Sequence, residues 1–159
     1  MRIGVMSDSH GDEDAVKKAV QSAGNVDIWL HAGDYYHDVN FIRKNHITKI
    51  VSVAGNCDGI GIKCPEEEFV QCAGKEIWIC HGHRYGVKSS TRELEWMAKT
   101  YEVDIAVYGH SHIPEMHWED ELLILNPGSV SRPRFKNPTF AIIEIDDWGN
   151  IKPEIIELV

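Results

Sequence analysis

The chain has 159 residues, 43% hydrophobic and 26% charged, which fits one soluble domain spanning 1–159 with a real core. Its formal net charge of −9 argues against duplex DNA or RNA as the main partner, because general affinity for nucleic acid comes from Lys and Arg neutralising phosphates, although a local cationic site for one phosphate is still allowed. Met1-Arg2 leads straight into a strand and no apolar run approaches the roughly 20 residues of a membrane span, so neither a signal peptide nor a membrane segment is expected, and the location expected is cytoplasmic.

In chain order, Ile3, Val5 and Met6 form an apolar strand that runs into Ser7-Asp8-Ser9-His10-Gly11. Residues two apart on extended backbone share a side, so Asp8 and His10 can converge on one cation. Asp12 to Asp14 then open a helix whose apolar face is Ala15, Val16, Ala19, Val20 and Ala23, stopped by Gly24-Asn25. A strand over 27–31 passes through Ala32-Gly33 to Asp34. A short helix at about 38–45, with Val39, Phe41 and Ile42 apolar, precedes a third strand over 49–53 that leads through Gly55 to Asn56-Cys57-Asp58.

The pattern then changes. Segments 68–72 and 76–80 flank Ala73-Gly74-Lys75 as a hairpin, and its second strand ends in His81-Gly82-His83. Ser90 with Glu93 reads as a capping box opening a helix with Leu94, Met97, Ala98 and Tyr101 on one face. Segments 104–108, 115–118, 121–125, 139–145 and 151–158 read as strands, the first ending in Gly109-His110-Ser111-His112. Strand and helix alternating early, then a strand meander, predict two packed sheets with helices outside.

Five apolar runs therefore end in polar clusters, and in α/β sheets ligands gather at the carboxyl ends of parallel strands. Asp8, His10, Asp34, Asn56, His81, His110 and His112 supply carboxylate, amide and imidazole donors, enough for two cations and too many for one tetrahedral zinc. Two cations about 3.5 to 4 Å apart repel and need an anionic bridge, which either Asp8 or Asp34 can be. Gly33, Gly55 and Gly109 each precede a candidate ligand, as expected where backbone passes close to a bound group.

The ordered set Asp8-x-His10, Gly33-Asp34, Gly55-Asn56-Cys57-Asp58, His81 and Gly109-His110-Ser111-His112 resembles the calcineurin-like metallophosphoesterase superfamily. Asn126-Pro127-Gly128-Ser129 is similar to its small bacterial and archaeal phosphodiesterases, which share the Gly-Asn-Cys-Asp form. The resemblance implies a four-layer α/β/β/α sandwich of two mixed β-sheets flanked by helices. It also implies one metal held by Asp8, His10, Asp34 and His112, and a second held by Asp34, Asn56, His81 and His110, with Asp34 bridging. The implied activity is phosphodiester hydrolysis by a hydroxide shared between two divalent transition ions, with Mn²⁺ expected and Ni²⁺, Fe²⁺ or Zn²⁺ as alternatives.

Most of the superfamily carries a histidine where this chain has Cys57, and that histidine is held to stabilise the transition state or protonate the leaving group. Cys57, Asn56 and Asp58 are accordingly candidate catalytic residues, with His83 a candidate substitute or supporting histidine. Formal charges of +4 from two dications, −2 from Asp8 and Asp34 and −1 from hydroxide leave about +1 before Asp58 is counted, which suits a monoanionic diester. The alternatives are a protein-binding scaffold similar to the small retromer subunit, which need not keep a complete donor set, and a nuclease, which the acidic surface disfavours. A small phosphodiester is the expected partner, and self-association is left open.

Plainer readings cover the rest. His31, His37, His46 and His117 match no motif and are expected as packed or solvated histidines, and Glu66-Glu67-Glu68 as a solvated entry to a strand. Arg132-Pro133-Arg134 either helps hold a phosphate or ends a turn. Trp29 and Trp78 are expected in the core. Cys57, Cys64, Cys72 and Cys80 form no C-x-x-C pair and are expected as reduced thiols.

Overall fold

The computed structural model describes residues 1–35, 37–45, 48–61 and 63–159; His46 lies outside them. The chain runs β1 (Arg2–Met6), α1 (Glu13–Ala23), β2 (Ile28–His31), α2 (Asp38–Asn45) and β3 (Lys49–Ser52). It continues with β4 (Glu67–Cys72), β5 (Lys75–Cys80), α3 (Arg92–Thr100), β6 (Ile105–Val107), β7 (Glu115–Glu119), β8 (Leu122–Asn126), β9 (Thr139–Ile145) and β10 (Ile151–Glu157).

The strands form two mixed five-stranded sheets, ordered β10-β9-β1-β2-β3 and β4-β5-β6-β8-β7. Within them β1, β2 and β3 are mutually parallel, as are β5, β6 and β8. Parallel strands covered on both faces must be apolar on both faces, which is why β1, β2, β5 and β6 read as continuous apolar runs. Between the sheets, Ile3, Val5, Ile28 and Leu30 meet Ile77, Ile79, Val107 and Leu125. On the outer face of the first sheet, Val16, Ala19, Val20 and Ala23 of α1 and Ile42 of α2 cover Met6, Trp29 and Phe140. Leu94 and Ala98 of α3 cover Trp78, Ala106 and Ile124 on the outer face of the second. The result is the expected four-layer α/β/β/α sandwich, with Trp29 and Trp78 fully buried. Among the described residues no helix is long and apolar enough to cross a membrane.

Local details differ from the expectations. The hairpin turn is Ala73-Gly74 alone, both left-handed (φ 50° and 79°), a geometry whose twist suits a two-residue connection, and Lys75 already belongs to β5. The capping box does not form, because α3 begins at Arg92 behind Thr91 and the Ser90 hydroxyl accepts only from the Arg92 N–H (3.2 Å). Thr91 instead donates to the Glu95 carboxylate (2.6 Å). Tyr101 lies past the helix end, edge-on to Phe69 and Trp78. His83–Tyr85 form a short 3-10 turn between left-handed Gly82 and Gly86, too brief to carry a periodic signal. Glu66 and Glu67 are not merely solvated: Glu66 pairs with Arg84 (2.7 Å), and Glu67 accepts the Tyr85 hydroxyl.

Candidate metal centre

Because β1, β2 and β3 run parallel in one sheet and β5 and β6 in the other, their carboxyl ends deliver all five polar clusters to one edge of the sandwich. Asp8, His10, Asp34 and His112 offer ligand atoms that all lie within 4.8 Å of one another. Asp8 Oδ1 is 3.2 Å from His112 Nε2, 3.8 Å from His81 Nε2 and 4.0 Å from His10 Nε2. Asp34 Oδ2 is 3.3 Å from His81 Nε2 and 3.8 Å from His10 Nε2, and His81 Nε2 is 3.1 Å from the Asn56 amide oxygen. The His110 ring stands 5.1 Å from the His81 ring, centroid to centroid. All seven sequence-derived donors are thus brought together, four from loops of the first sheet and three from the second.

The loops are held in conformations that side chains ordinarily avoid. Asp8, His10, Asp34, His110 and His112 all have positive φ, between 48° and 69°. Such residues cost on the order of 1–3 kcal/mol each and persist only where surrounding contacts dictate them. Those contacts are present. Asp8 N–H donates to Gly33 O (2.9 Å), and His10 N–H to Asp34 O (3.1 Å). Ser129 and Ser131 hydroxyls both donate to the Asp8 carbonyl (2.8 and 3.1 Å), while the Asn126 amide donates to Gly109 O (3.0 Å) and Ser111 Oγ (2.9 Å). The Asn126–Ser129 segment therefore ties the first ligand loop to the last, a role its sequence resemblance did not disclose.

The three glycines do allow close approach, but to neighbouring ligand loops. A Cβ on Gly109 would lie 2.0 Å from Ser7 Oγ and 2.7 Å from Asp8 Oδ2; one on Gly55 would meet Asp34 Oδ1 at 2.1 Å; one on Gly33 would meet His81 Nδ1 at 2.8 Å.

The donor chemistry fits a cation. His81 Nδ1–H donates to Ala32 O (2.7 Å) and His112 Nδ1–H to Arg132 O (2.7 Å), so each ring turns a bare Nε2 lone pair toward carboxylate oxygens. Asp8 Oδ2 accepts from Ser7 Oγ (2.7 Å) and His110 N–H (3.0 Å), whereas Asp8 Oδ1 is fully buried without a hydrogen-bond partner among the described residues. Lone pairs facing lone pairs in a buried site repel unless a proton or metal ion lies between them. Without metal, a proton is the alternative occupant. The Asp8 carboxylate, working against burial, raises the His112 pKa; burial lowers that of His81, but Asp34 and Asp8 more than reverse it. Burial raises the Asp34 carboxyl, yet its contacts with His81 and Cys57 hold it well below the usual range. His110, desolvated and near His81, is pushed down to about 4, and burial also lowers His10.

The candidate catalytic residues surround these ligands. Cys57 is exposed; its N–H donates to Asp34 Oδ1 (2.9 Å), and desolvation with the Asp34 carboxylate pushes its thiol up to about 11. Asp58 Oδ2 accepts from Gly55 N–H (2.7 Å) and Asp34 N–H (3.2 Å), shaping the loop. His83 lies 5.5 Å from the His81 ring, its Nδ1 buried without a hydrogen-bond partner among the described residues and its pKa lowered by burial. An open cleft of about 560 Å³ adjoins His10, bounded by the Asp12–Asp14 turn and the exposed Arg132. His117 is neither isolated nor at this site, bridging Glu95 (3.0 Å) and Glu115 (3.2 Å) between α3 and β7, and His37 is exposed, edge-on to Tyr35.

The profile of the calcineurin-like phosphoesterase superfamily domain matches residues 1–148. The phosphodiesterase MJ0936 of Methanocaldococcus jannaschii is 29% identical over 92% of this chain and 94% of its own length. A Streptococcus pneumoniae TIGR4 protein described as a predicted phosphoesterase superposes with a TM-score of 0.83 at 33% identity, covering 98% of this chain and 88% of that one. Vps29 of Entamoeba histolytica superposes with a TM-score of 0.76 over 99% of both chains, but at 22% identity it speaks for the fold alone. With that profile spanning nearly the whole length, including every loop that lines the buried donor cluster, the chain belongs to the calcineurin-like phosphoesterase superfamily, whose members work with divalent metals.

Proposed function

We propose that this protein is a cytoplasmic phosphodiesterase that holds two divalent transition ions, Mn²⁺ foremost, and hydrolyses a small phosphodiester. The observation that carries this reading is the Asp8 Oδ1 atom, buried, without a hydrogen-bond partner among the described residues, and faced by imidazole nitrogens of His10 from the first sheet and His81 and His112 from the second. Asp8, His10, Asp34 and His112 would hold one ion; Asp34, Asn56, His81 and His110 would hold the other. Asp34 suits the bridge, since Oδ1 is engaged by the Cys57 N–H and Oδ2 lies between His10 and His81. When bound, the ions polarise the phosphoryl group and make water acidic enough to attack near neutral pH.

The chain's own residues do the rest. Ala32 O and Arg132 O fix the tautomers of His81 and His112, so that both present Nε2. Arg132, at the mouth of the cleft beside His10, is placed to orient an anionic substrate. Cys57, with its thiol protonated, supplies neither nucleophile nor strong acid, so substrates with good leaving groups are favoured. The formal charge of the ligand set favours a monoanionic diester over a dianionic monoester. A protein-binding scaffold has no need of a complete, strained donor set, and this supports the enzymatic reading.

The test is metal analysis of the purified protein, followed by chelation and Mn²⁺ add-back with an aryl phosphodiester and the matching monoester. Activity is expected to vanish and return with metal and to favour the diester. A chelated protein that keeps full activity overturns the proposal.

A further inference from the structure

His31 matches no motif, yet it is fully buried at the end of β2, on the helix-covered side of the sheet, with both ring nitrogens engaged. The Gly33 N–H can only donate, and it points at His31 Nδ1 (3.3 Å). The ring proton is therefore on Nε2, which donates to Ser9 Oγ (2.9 Å). Ser9 is the buried residue between Asp8 and His10, and Gly33 precedes Asp34.

We infer that His31 is a positioning residue for the metal site: by bonding Ser9 on one side and Gly33 on the other, it fixes the two strained loops that carry Asp8, His10 and Asp34. The physical need is specific. With Asp8 and His10 both left-handed (φ 55° and 48°), a rotation at Ser9 would swing their side chains apart, and the Ser9 hydroxyl adds a side-chain anchor against it to the bonds at Asp8 O and His10 N–H. The tie joins neighbouring loops through Ser9 Oγ and the Gly33 N–H, neither of which is a candidate ligand atom. Nearby, the Asp38 carboxylate accepts the Gly11 N–H (2.9 Å), anchoring the far end of the first loop to α2. Supporting contacts of this kind commonly govern metal affinity by about 10- to 100-fold.

The inference rests on the metal-binding reading above, and titration calorimetry of Mn²⁺ into the metal-stripped full chain separates the two. His31→Phe fills the space without hydrogen bonds, and Ser9→Ala removes only the hydroxyl. Each is expected to weaken Mn²⁺ binding about 10- to 100-fold while the metal-free variants keep the parental circular dichroism spectrum. His31→Gln, whose amide restores a donor near Nε2, is expected to recover part of the loss, as a role confined to packing would not. Combined with Ser9→Ala, His31→Phe should add only the loss that comes from Gly33, since the Ser9–His31 bond is already gone. If His31→Phe does not fold, Ser9→Ala decides: parental Mn²⁺ affinity in Ser9→Ala overturns the tie. Parental affinity in a folded His31→Phe does the same. An unmodified chain that binds no Mn²⁺ overturns the metal reading and the tie with it.

Discussion

At the residue scale, the two oxygens of Asp34 have separate tasks. Oδ1 is engaged by the Cys57 N–H, whereas Oδ2 faces both groups of nitrogens. Asp34→Asn keeps the shape and removes the charge that two cations would share, so occupancy is expected to fall at both sites and activity to disappear. His112→Ala should reduce occupancy mainly at one. Metal counts per chain for the two variants check this, and an Asp34→Asn protein that retains both ions and most turnover would refute the bridge. Cys57 makes a different case. With its thiol pushed up to about 11, it is neutral at physiological pH, so Cys57→Ser is expected to keep most of the diesterase rate. Cys57→His should raise the rate most for alkyl diesters with poor leaving groups, by up to about 10²-fold if the ring acts as a general acid. A rate series across aryl and alkyl diesters at matched metal content distinguishes these outcomes.

At the scale of elements, the ligand loops are fitted to one another, and glycine is where the fit is tightest. Gly109→Ala would set a Cβ 2.0 Å from Ser7 Oγ and force the Asp8 carboxylate to move. It is expected to cost about 1–3 kcal/mol in denaturant unfolding of the metal-free protein and to weaken metal binding as well. Gly59→Ala, with no described residue within 4 Å of the added Cβ, should change neither. The strands, helices and seven donors were legible in the sequence because each rests on local pattern: buried runs, a helical face, a polar cluster at a strand's end. What escaped depends on partners distant in the chain. Nothing near Ser90 shows that α3 starts after Thr91, nothing near His31 names Ser9, and nothing near Asn126 reveals that it bonds Gly109 and Ser111. The close glycines were visible as motif members, but the atoms they make room for came only with the fold.

At the scale of the whole molecule, the site sets how stability responds to pH. In the metal-free protein the pKa values of His81 and His112 are raised, so their contribution is fully present below about 6.5 and is lost as pH rises through the raised values. His110, lowered to about 4, works in the opposite sense: its contribution is present above about 6.5 and is lost as pH falls toward 4. Metal competes with protons for His81 and His112, whose pKa values are raised, so Mn²⁺ affinity and the stabilisation it confers should both grow with pH. At a free concentration 100 times Kd, each bound ion adds about 2.7 kcal/mol. Melting with and without Mn²⁺ at about pH 6 and about pH 8 checks the sign; a larger increment at the lower pH would contradict it.

The donors are also divided by sheet, with Asp8, His10, Asp34 and Asn56 on one and His81, His110 and His112 on the other. A metal pair in that position would act as a rivet at one rim of a clamshell whose two shells adhere mainly through greasy, non-directional contact, with hydrogen bonds such as His81 to Ala32 and His110 to Asp8 at that same rim. Removing the rivet should loosen the sandwich unevenly. Amide hydrogen exchange would then quicken at the loops after β1, β2, β5 and β6 far more than at the opposite rim, where the Ala73-Gly74 hairpin joins strands of a single shell.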